Sequence, residues 1–248
     1  MIDERIMNFS PISLSEMKNI RLMNRIDTKF VATIRQLDEL LALAIPAYHI
    51  QEINGQRNMP YDTTYFDTRN FDMYYAHEHG HTNRQKLRFR TYVCSNLQFM
   101  EIKTKNNHGR TAKNRIEVTD MDILEPVKHD YIADHLDYLP ETLQPAIRNS
   151  FNRITLVNKA RTERLTIDTA LTFRNVITCR EESLSNLAII ELKRDGRCFS
   201  PILELLRQLR IHPHGFSKYT IGSAMTNPEL RTNRIKPRLH DINKIIKL

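Results

Sequence analysis

The chain has no tryptophan and six glycines among its 248 residues. With so few, a glycine-rich phosphate loop is not credible, and "NNHGR" (106–110), with one glycine, reads as a turn between strands. Three cysteines, Cys94, Cys179 and Cys198, are odd in number, far apart and outside CxxC spacing. That indicates neither a disulfide framework nor a zinc ribbon, and it fits a reducing, cytoplasmic setting. No apolar run approaches the length of a membrane span, and the opening "MIDERIMNFSPISLSEMK" is too acidic and polar for a signal peptide. The ten prolines are scattered; there is no linker, low-complexity tract or fixed-period repeat. One domain over 1–248 is expected, long enough to bury a proper core. GxSxG and Ser/His/Asp spacings are missing as well.

What the chain has is charge. Lys and Arg number 37 against 29 Asp and Glu, a formal charge of +8 with a pI near 9.4. A polyanionic partner is implied: nucleic acid, an acidic membrane surface or a phosphate-rich small molecule. Charge alone does not choose among them.

Local patterns place that charge. Ser13 with Glu16 three residues on is a capping box for a short opening helix. "RLMNRIDTKFVAT" alternates, with Arg25, Asp27 and Lys29 on one face and Ile26 and Phe30 on the other. Leu37, Leu40, Leu41 and Ala44 mark a helix over Ile34–Ala44 that Pro46 ends. "YDTTYFDT" predicts a strand leading to a short helix near Phe71–Ala76. "RQKLRFRTYVCSNLQFMEIKTK" gives two strands joined near Cys94–Leu97, and "TAKNRIEVT" another. "VKHDYIADHLDYL" and "PETLQPAIRN" read as helical. "SFNRITLVN", "RTERLTIDTALTF" and "NLAIIELKRD" return to strand, and "SPILELLRQLRI" is a helix with Ser200 as cap and Pro201 at its first position. The basic tail from Arg231 is partly helical. About eight strands with interposed helices define an α+β pattern of antiparallel neighbours.

The parity of these strands is regular. Charge falls on one face of each: Arg25, Asp27, Lys29; Lys86, Arg88, Arg90; Glu101, Lys103; Lys113, Arg115, Glu117; Arg164, Asp168; Glu191, Lys193. Leu, Ile, Val and Phe fall on the other. An open antiparallel sheet with a solvated ionic face accounts for this. Like charges at i and i+2, roughly 7 Å apart, then repel by only about 0.6 kcal/mol in water. A closed barrel with the ionic face inside accounts for it too. At an effective dielectric near 20 the repulsion rises to roughly 2–3 kcal/mol per neighbouring pair, so the lumen would call for a bound polyanion. Closure would also remove the sheet edges.

Other constellations carry less. "HEHGH" alternates His77, His79 and His81 around Gly80, but it lacks an acidic or Cys partner at ligand spacing and reads as a solvated connection rather than a zinc site. Lys86 and Lys105 near strand ends read as mouth residues. Asp27, Glu117 and Asp168 are open to two roles, metal ligation or pairing with neighbouring cations. A nucleic-acid module would interleave the basic face with stacking aromatics. Phe89 and Phe99 are expected off that face, and only Tyr92 on it. The tail, with Ile242, Ile245, Ile246 and Leu248, is a solvated helix or one that docks on the barrel or a membrane surface.

The ordered motifs "RIDTKF", "TTYFDT", "KLRFRTY", "MEIKTK", "AKNRIEV", "SFNRITLVNKARTERLTID", "IIELKRD" and "FSKYTIG" resemble the VTC (vacuolar transporter chaperone) polyphosphate polymerase domain. This family belongs to the triphosphate tunnel metalloenzymes, with the CYTH phosphatases and cyclases. The match is collinear from about Asn24 to Gly222. The resemblance implies a closed eight-stranded antiparallel β-barrel with helices packed outside. It divides the chain into an N-terminal helix (1–20), the tunnel barrel with inserted helices (21–225) and a basic tail (226–248).

Roles follow from the resemblance. Lys29 matches the first-strand lysine, and Arg88 and Arg90 the R-x-R pair that grips triphosphate oxygens. Lys103 and Lys113 match two further tunnel lysines. Arg153 matches the arginine of a Y-x-R motif, Lys218 the C-terminal lysine, and Glu191 the glutamate that holds the metal. Arg115, Arg164 and Lys193 complete the expected substrate-binding set. Arg88, Arg90, Lys103, Arg153 and Lys218 form the expected catalytic set. Glu101 joins Glu191 as a candidate ligand for Mn²⁺ or Mg²⁺, hard ions that prefer oxygen. Phe151 departs from the pattern, standing where the family has Tyr.

The expected activity is transfer of the γ-phosphate of ATP to polyphosphate; planar Arg forks meet two phosphate oxygens at once and Lys adds point charges. If water attacks instead, the same site is a triphosphatase. A non-catalytic polyphosphate or inositol phosphate binder would use the same cations. The expected partners are ATP and polyphosphate or triphosphate, with neither nucleic acid nor a transmembrane segment.

Overall fold

A computed structural model describes residues 2–18, 20, 25–107, 111–196 and 198–246. The expected strand residues 21–24, the turn residues 108–110 and Leu248 lie outside the described residues. The expected N-terminal helix is instead α1 (Ile2–Met7), β1 (Ser10–Ser13) and α2 (Leu14–Lys18). Its capping box forms: Glu16 N–H donates to Ser13 Oγ, and Ser13 N–H donates to Glu16 Oε2 at 3.0 Å. β2 (Arg25–Thr33) runs into α3 (Ile34–Ala44), where Thr33 and Gln36 build a second capping box. β3 (Tyr48–Glu52), which alternation did not reveal, pairs in parallel with β1 and antiparallel with the strand at 143–158.

β4 (Met59–Thr68), α4 (Asp72–Glu78), β5 (Arg84–Tyr92), β6 (Leu97–Lys105) and β7 (Thr111–Val118) follow as antiparallel neighbours. Pro126 opens α5 (Pro126–His135), capped by the Glu125 carboxylate. The stretch from Leu143, expected to be helical, is strand β8 (Leu143–Asn158). Leu143, Ala146 and Ile147 bury against β4, and Pro145 falls where the register shifts between Tyr65 and Phe66, so its missing N–H interrupts no regular ladder. Packing overrides the helical reading. β9 (Glu163–Asn175), β10 (Glu181–Leu184), β11 (Leu187–Asp195) and α6 (Pro201–Gln208) complete the sheet and one flank. The motif "FSKYTIG" leads into α7 (Lys218–Thr226), whose N-terminus is capped by Ser217 Oγ accepting from Thr220 N–H. α8 (Lys236–Ile246) realises the helical tail and docks on the body through Ile242.

The main sheet path is β2-β11-β9-β8-β4-β5-β6-β7, eight strands with β2 and β7 at its ends. Among the described residues no backbone ladder joins β2 to β7, so the barrel is not closed by hydrogen bonds. The sheet curls nonetheless: Lys29 of β2 and Lys113 of β7 line one cavity. Antiparallel partners share a face. The inner face therefore carries Arg88 opposite Glu101, Lys86 opposite Lys103, Glu101 opposite Arg115 and Lys29 opposite Glu191. The outer face supplies Leu87, Phe89, Met100, Ile102, Ile154, Leu165, Ile167 and Leu192 to two apolar cores.

Two expectations need correction. The inner face is not ionic throughout, because Tyr65 is opposite Ile147, and Asn149 opposite Phe173, on that same side. Nor do all helices pack outside. α7 lies on this apolar part of the inner face, with the Tyr219 ring 5.2 Å from Tyr65 and its hydroxyl donating to the buried Asp67. Gly222 permits the approach; a Cβ there would stand 2.3 Å from Phe173 Cδ1 and 2.9 Å from Ile147 Cδ1.

Candidate anion-binding cavity

A cavity of about 560 Å³ opens between the curled sheet, α7 and α8. Its walls hold twelve lysines and arginines against three carboxylates, Asp27, Asp168 and Glu191. Lys29, Arg88, Arg90, Lys103, Lys113, Arg153, Lys193, Lys218 and Glu191 all line it, drawn from β2, β5, β6, β7, β8, β11 and α7. Arg115 and Arg164 do not. Arg115 is exposed, with its guanidinium carbon 4.6 Å from the centre of the Phe99 ring, and Arg164 donates to Met17 O at 3.0 Å.

Two ionic triads organise the walls. Glu101, fully buried, accepts from Arg88 Nε at 2.6 Å and from Lys113. Burial alone would raise its carboxyl, but Arg88, Arg90 and Lys113 outweigh it and hold the group down at about 2. Asp168 accepts from Arg153 Nε and Nη2 at 2.6 and 2.8 Å and from Lys218. Burial would raise that acid too, and the same two cations depress it. Asp168 thus takes the pairing role of the two that the sequence leaves open.

The remaining cations are under-compensated. Among the described residues Lys103 has no ion-pair partner, and repulsion from Arg88, followed by burial and Arg90, drives its amine down to about 6. Burial, together with Arg153 and Lys29, brings Lys218 to about 7 despite Asp168. Arg90 falls to about 10 through burial and the fields of Arg88 and Arg153. Lys86, expected at the mouth, lies inside: it donates to Ser217 Oγ at 3.0 Å, and burial followed by Lys29, Arg84 and Lys103 lowers it strongly. Lys29 Nζ donates to Phe216 O at 2.9 Å, which ties the segment before α7 to β2.

Aromatic rings support the guanidinium groups. Tyr61 and Phe151 stack at 5.3 Å, and the Arg153 guanidinium carbon lies 5.2 Å from each ring centre. Lys218 Nζ sits 4.2 Å from the Phe151 centre. Phe151 therefore contributes a cation–π surface where a Tyr would add a hydroxyl. Phe99 faces inward opposite Glu117, 5.7 Å from Tyr92, so the expectation that it avoids the ionic face is wrong. Its odd number, shared with Glu101 and Lys103, is the signal that places it.

The lining also includes Arg25, His77, Arg84 and Arg238. Arg84 shares the parity of Lys86, Arg88 and Arg90 and was findable on that ground; His77 and Arg238, on helices outside the sheet, were not. His77 is inside rather than in a solvated connection, and burial followed by Lys86 and Arg84 lowers its imidazole to about 2. Among the described residues no three His, Cys, Asp or Glu side chains gather as a metal cage. A hard divalent ion is nonetheless compatible, since such ions bind through one or two carboxylates with substrate phosphates and water filling the rest. Glu191 suits that role: it lines the cavity and accepts from Lys193 Nζ at 2.5 Å through one oxygen. Glu101 does not, because both its oxygens already hold cations.

A curled antiparallel sheet whose two edges face one cation-lined cavity defines an anion-binding protein of the tunnel type. The chain belongs to the VTC domain family, whose model matches residues 24–227. No curated protein matches it significantly. Among solved structures it resembles a candidate adenylate cyclase from Bacillus halodurans at 13% identity and TM-score 0.51, covering 79% of this chain and 96% of that one. That likeness concerns the fold. A protein from Pyrococcus horikoshii matches at 12% identity and TM-score 0.47, over 83% of this chain and 99% of its own. A candidate adenylyl cyclase from Hippeastrum, described as having a dominant triphosphatase activity, matches at 15% and 0.45, over 82% and 96%. No helix among the described residues is long and apolar enough to cross a membrane.

Proposed function

We propose that the cavity binds the phosphates of a nucleoside triphosphate, ATP foremost, and passes the γ-phosphoryl group to the end of a polyphosphate chain. The observation that carries this reading is twelve cations against three carboxylates around one cavity. A chain of phosphates matches that excess.

Arg88, Arg90 and Arg153 grip phosphate oxygens with planar forks fixed by Glu101, Asp168 and the Tyr61–Phe151 stack. Fixed charges of this kind need no reorganisation as negative charge moves during transfer. An oxygen of the acceptor's terminal phosphate forms a bond to the γ-phosphorus, the bond to the β–γ bridging oxygen breaks, and ADP leaves with that electron pair. Lys103 Nζ and Lys218 Nζ take up protons as the anion enters, so neutralisation is completed by the ligand's arrival. Glu191 would hold Mn²⁺ or Mg²⁺, which supplies further charge neutralisation on the phosphates.

Incubation of the purified protein with ATP and Mn²⁺ or Mg²⁺, resolving long-chain polyphosphate from free phosphate, tests the proposal. Polyphosphate is expected, and Arg88→Ala with Arg90→Ala should abolish binding. Free phosphate as the main product would assign a triphosphatase. Tight triphosphate binding with neither product would assign a binding module.

A further inference from the structure

One end of the cavity is finished by elements outside the sheet. α4 carries His77 in its last turn, and α8 begins with Lys236, Pro237 and Arg238. The chain between α7 and α8 is held on α4 and its C-cap by hydrogen bonds. Glu78 Oε1 accepts from Arg234 N–H at 2.7 Å, Arg234 donates to His79 O, and Tyr74 O–H donates to Arg231 O at 3.0 Å. Ile235 and Ile242, 2% and 0% exposed, seat the helix. These anchors place the Arg238 guanidinium over Gly215, its carbon 3.6 Å from where a Cβ would be.

Arg238 then joins His77, Arg84 and Lys86 along the cavity wall. Among the described residues none of the three cations has a carboxylate partner: Lys86 donates to Ser217 Oγ, and Arg84 to His81 O. This contrasts with the centre, where Arg88 and Arg153 are each locked to an acid. Arg238 also lies beyond residues 24–227, the part of this chain that the family model matches.

We propose that Arg238, with Arg84 and Lys86, forms an accessory phosphate subsite that extends the cavity, so that the tail of this chain selects linear phosphate chains longer than triphosphate. The inference rests on the polyanion reading of the cavity. Arg84 lies four residues from Arg88 along β5, roughly 13 Å at about 3.3 Å per residue, so a longer phosphate chain engages both regions more fully than a triphosphate gripped at Arg88, Arg90 and Arg153. Each additional phosphate there meets cations that no protein carboxylate neutralises, and charge-assisted contacts of this kind are strong.

The test is calorimetric titration of the full chain with tripolyphosphate and with a polyphosphate several times longer. In Arg238→Ala the preference for the longer chain should fall by about tenfold, with Arg238→Lys in between and the exposed Arg69→Ala unchanged. Gly215→Val, which crowds the guanidinium without removing charge, should also reduce the preference. An unaltered ratio in both Arg238→Ala and Gly215→Val, or equal loss for both ligands, overturns the subsite and leaves the polyanion reading standing. Failure of the wild-type protein to bind either ligand overturns both.

Discussion

Lys103 offers the sharpest measure of how far the empty cavity is over-charged. Its amine sits at about 6, chiefly because Arg88 repels the charged form, with burial and Arg90 adding to the effect. Near pH 7.5 it is therefore mostly neutral, and an incoming polyanion that reverses the local field should protonate it. Wild type should take up about one more proton per bound tripolyphosphate than Lys103→Met, read from titration heats in two buffers of different ionisation enthalpy. Taking the difference cancels protons exchanged by the ligand itself. The sign fixes the pH dependence. The bound state holds more protons, so affinity falls as pH rises above the free-state value, and the advantage of wild type over Lys103→Met should shrink roughly ninefold between pH 7 and 8. Without ligand, the unfolded chain binds more protons than the folded one from about pH 6 to the ordinary lysine range, so Lys103 makes stability rise with pH there. Equal proton uptake by the two proteins, or an affinity advantage that does not change with pH, would refute the electrostatic account.

Glu191→Gln should bind metal-free tripolyphosphate at least as tightly as wild type, because a cavity carboxylate is lost and Lys193 is freed. Its turnover with ATP should drop by about a hundredfold or more; equal loss of binding and turnover would contradict the role given to it. Gly222→Ala drives a methyl into Phe173 and Ile147 and should cost about 1–3 kcal/mol, measured by urea denaturation. An unchanged midpoint would mean that α7 is not pressed onto the inner face.

Much of the site was legible because strand parity is a local property. The alternation in "KLRFR", "MEIKTK" and "IIELK" decides which side chains share a face before any partner strand is known. It puts Arg88, Arg90, Lys103 and Glu191 on charged strand faces, and all four line the cavity; the same parity places Phe99 on the face of Glu101 and Lys103. Parity put Arg115 and Arg164 on the inner face, opposite Glu101 and Lys193, yet neither lines the cavity: Arg115, on edge strand β7, turns to Phe99, and the N-terminal segment claims Arg164 through Met17 O. In both cases a contact outside the strand's own pattern decided the outcome.

By itself the sequence determined the alternating strands, their charged face and the helices with clear caps, but not the short β1, β3 and β10, since only the former show in residues within a few positions of one another. The tertiary structure alone decided that α7 sits inside the curl, that β8 begins at Leu143 rather than as helix, and that α8 brings Arg238 to the cavity. Those outcomes turn on close approach and burial between segments distant in the chain, as with Gly222 against Phe173 and Glu78 against Arg234, and no local periodicity encodes such meetings.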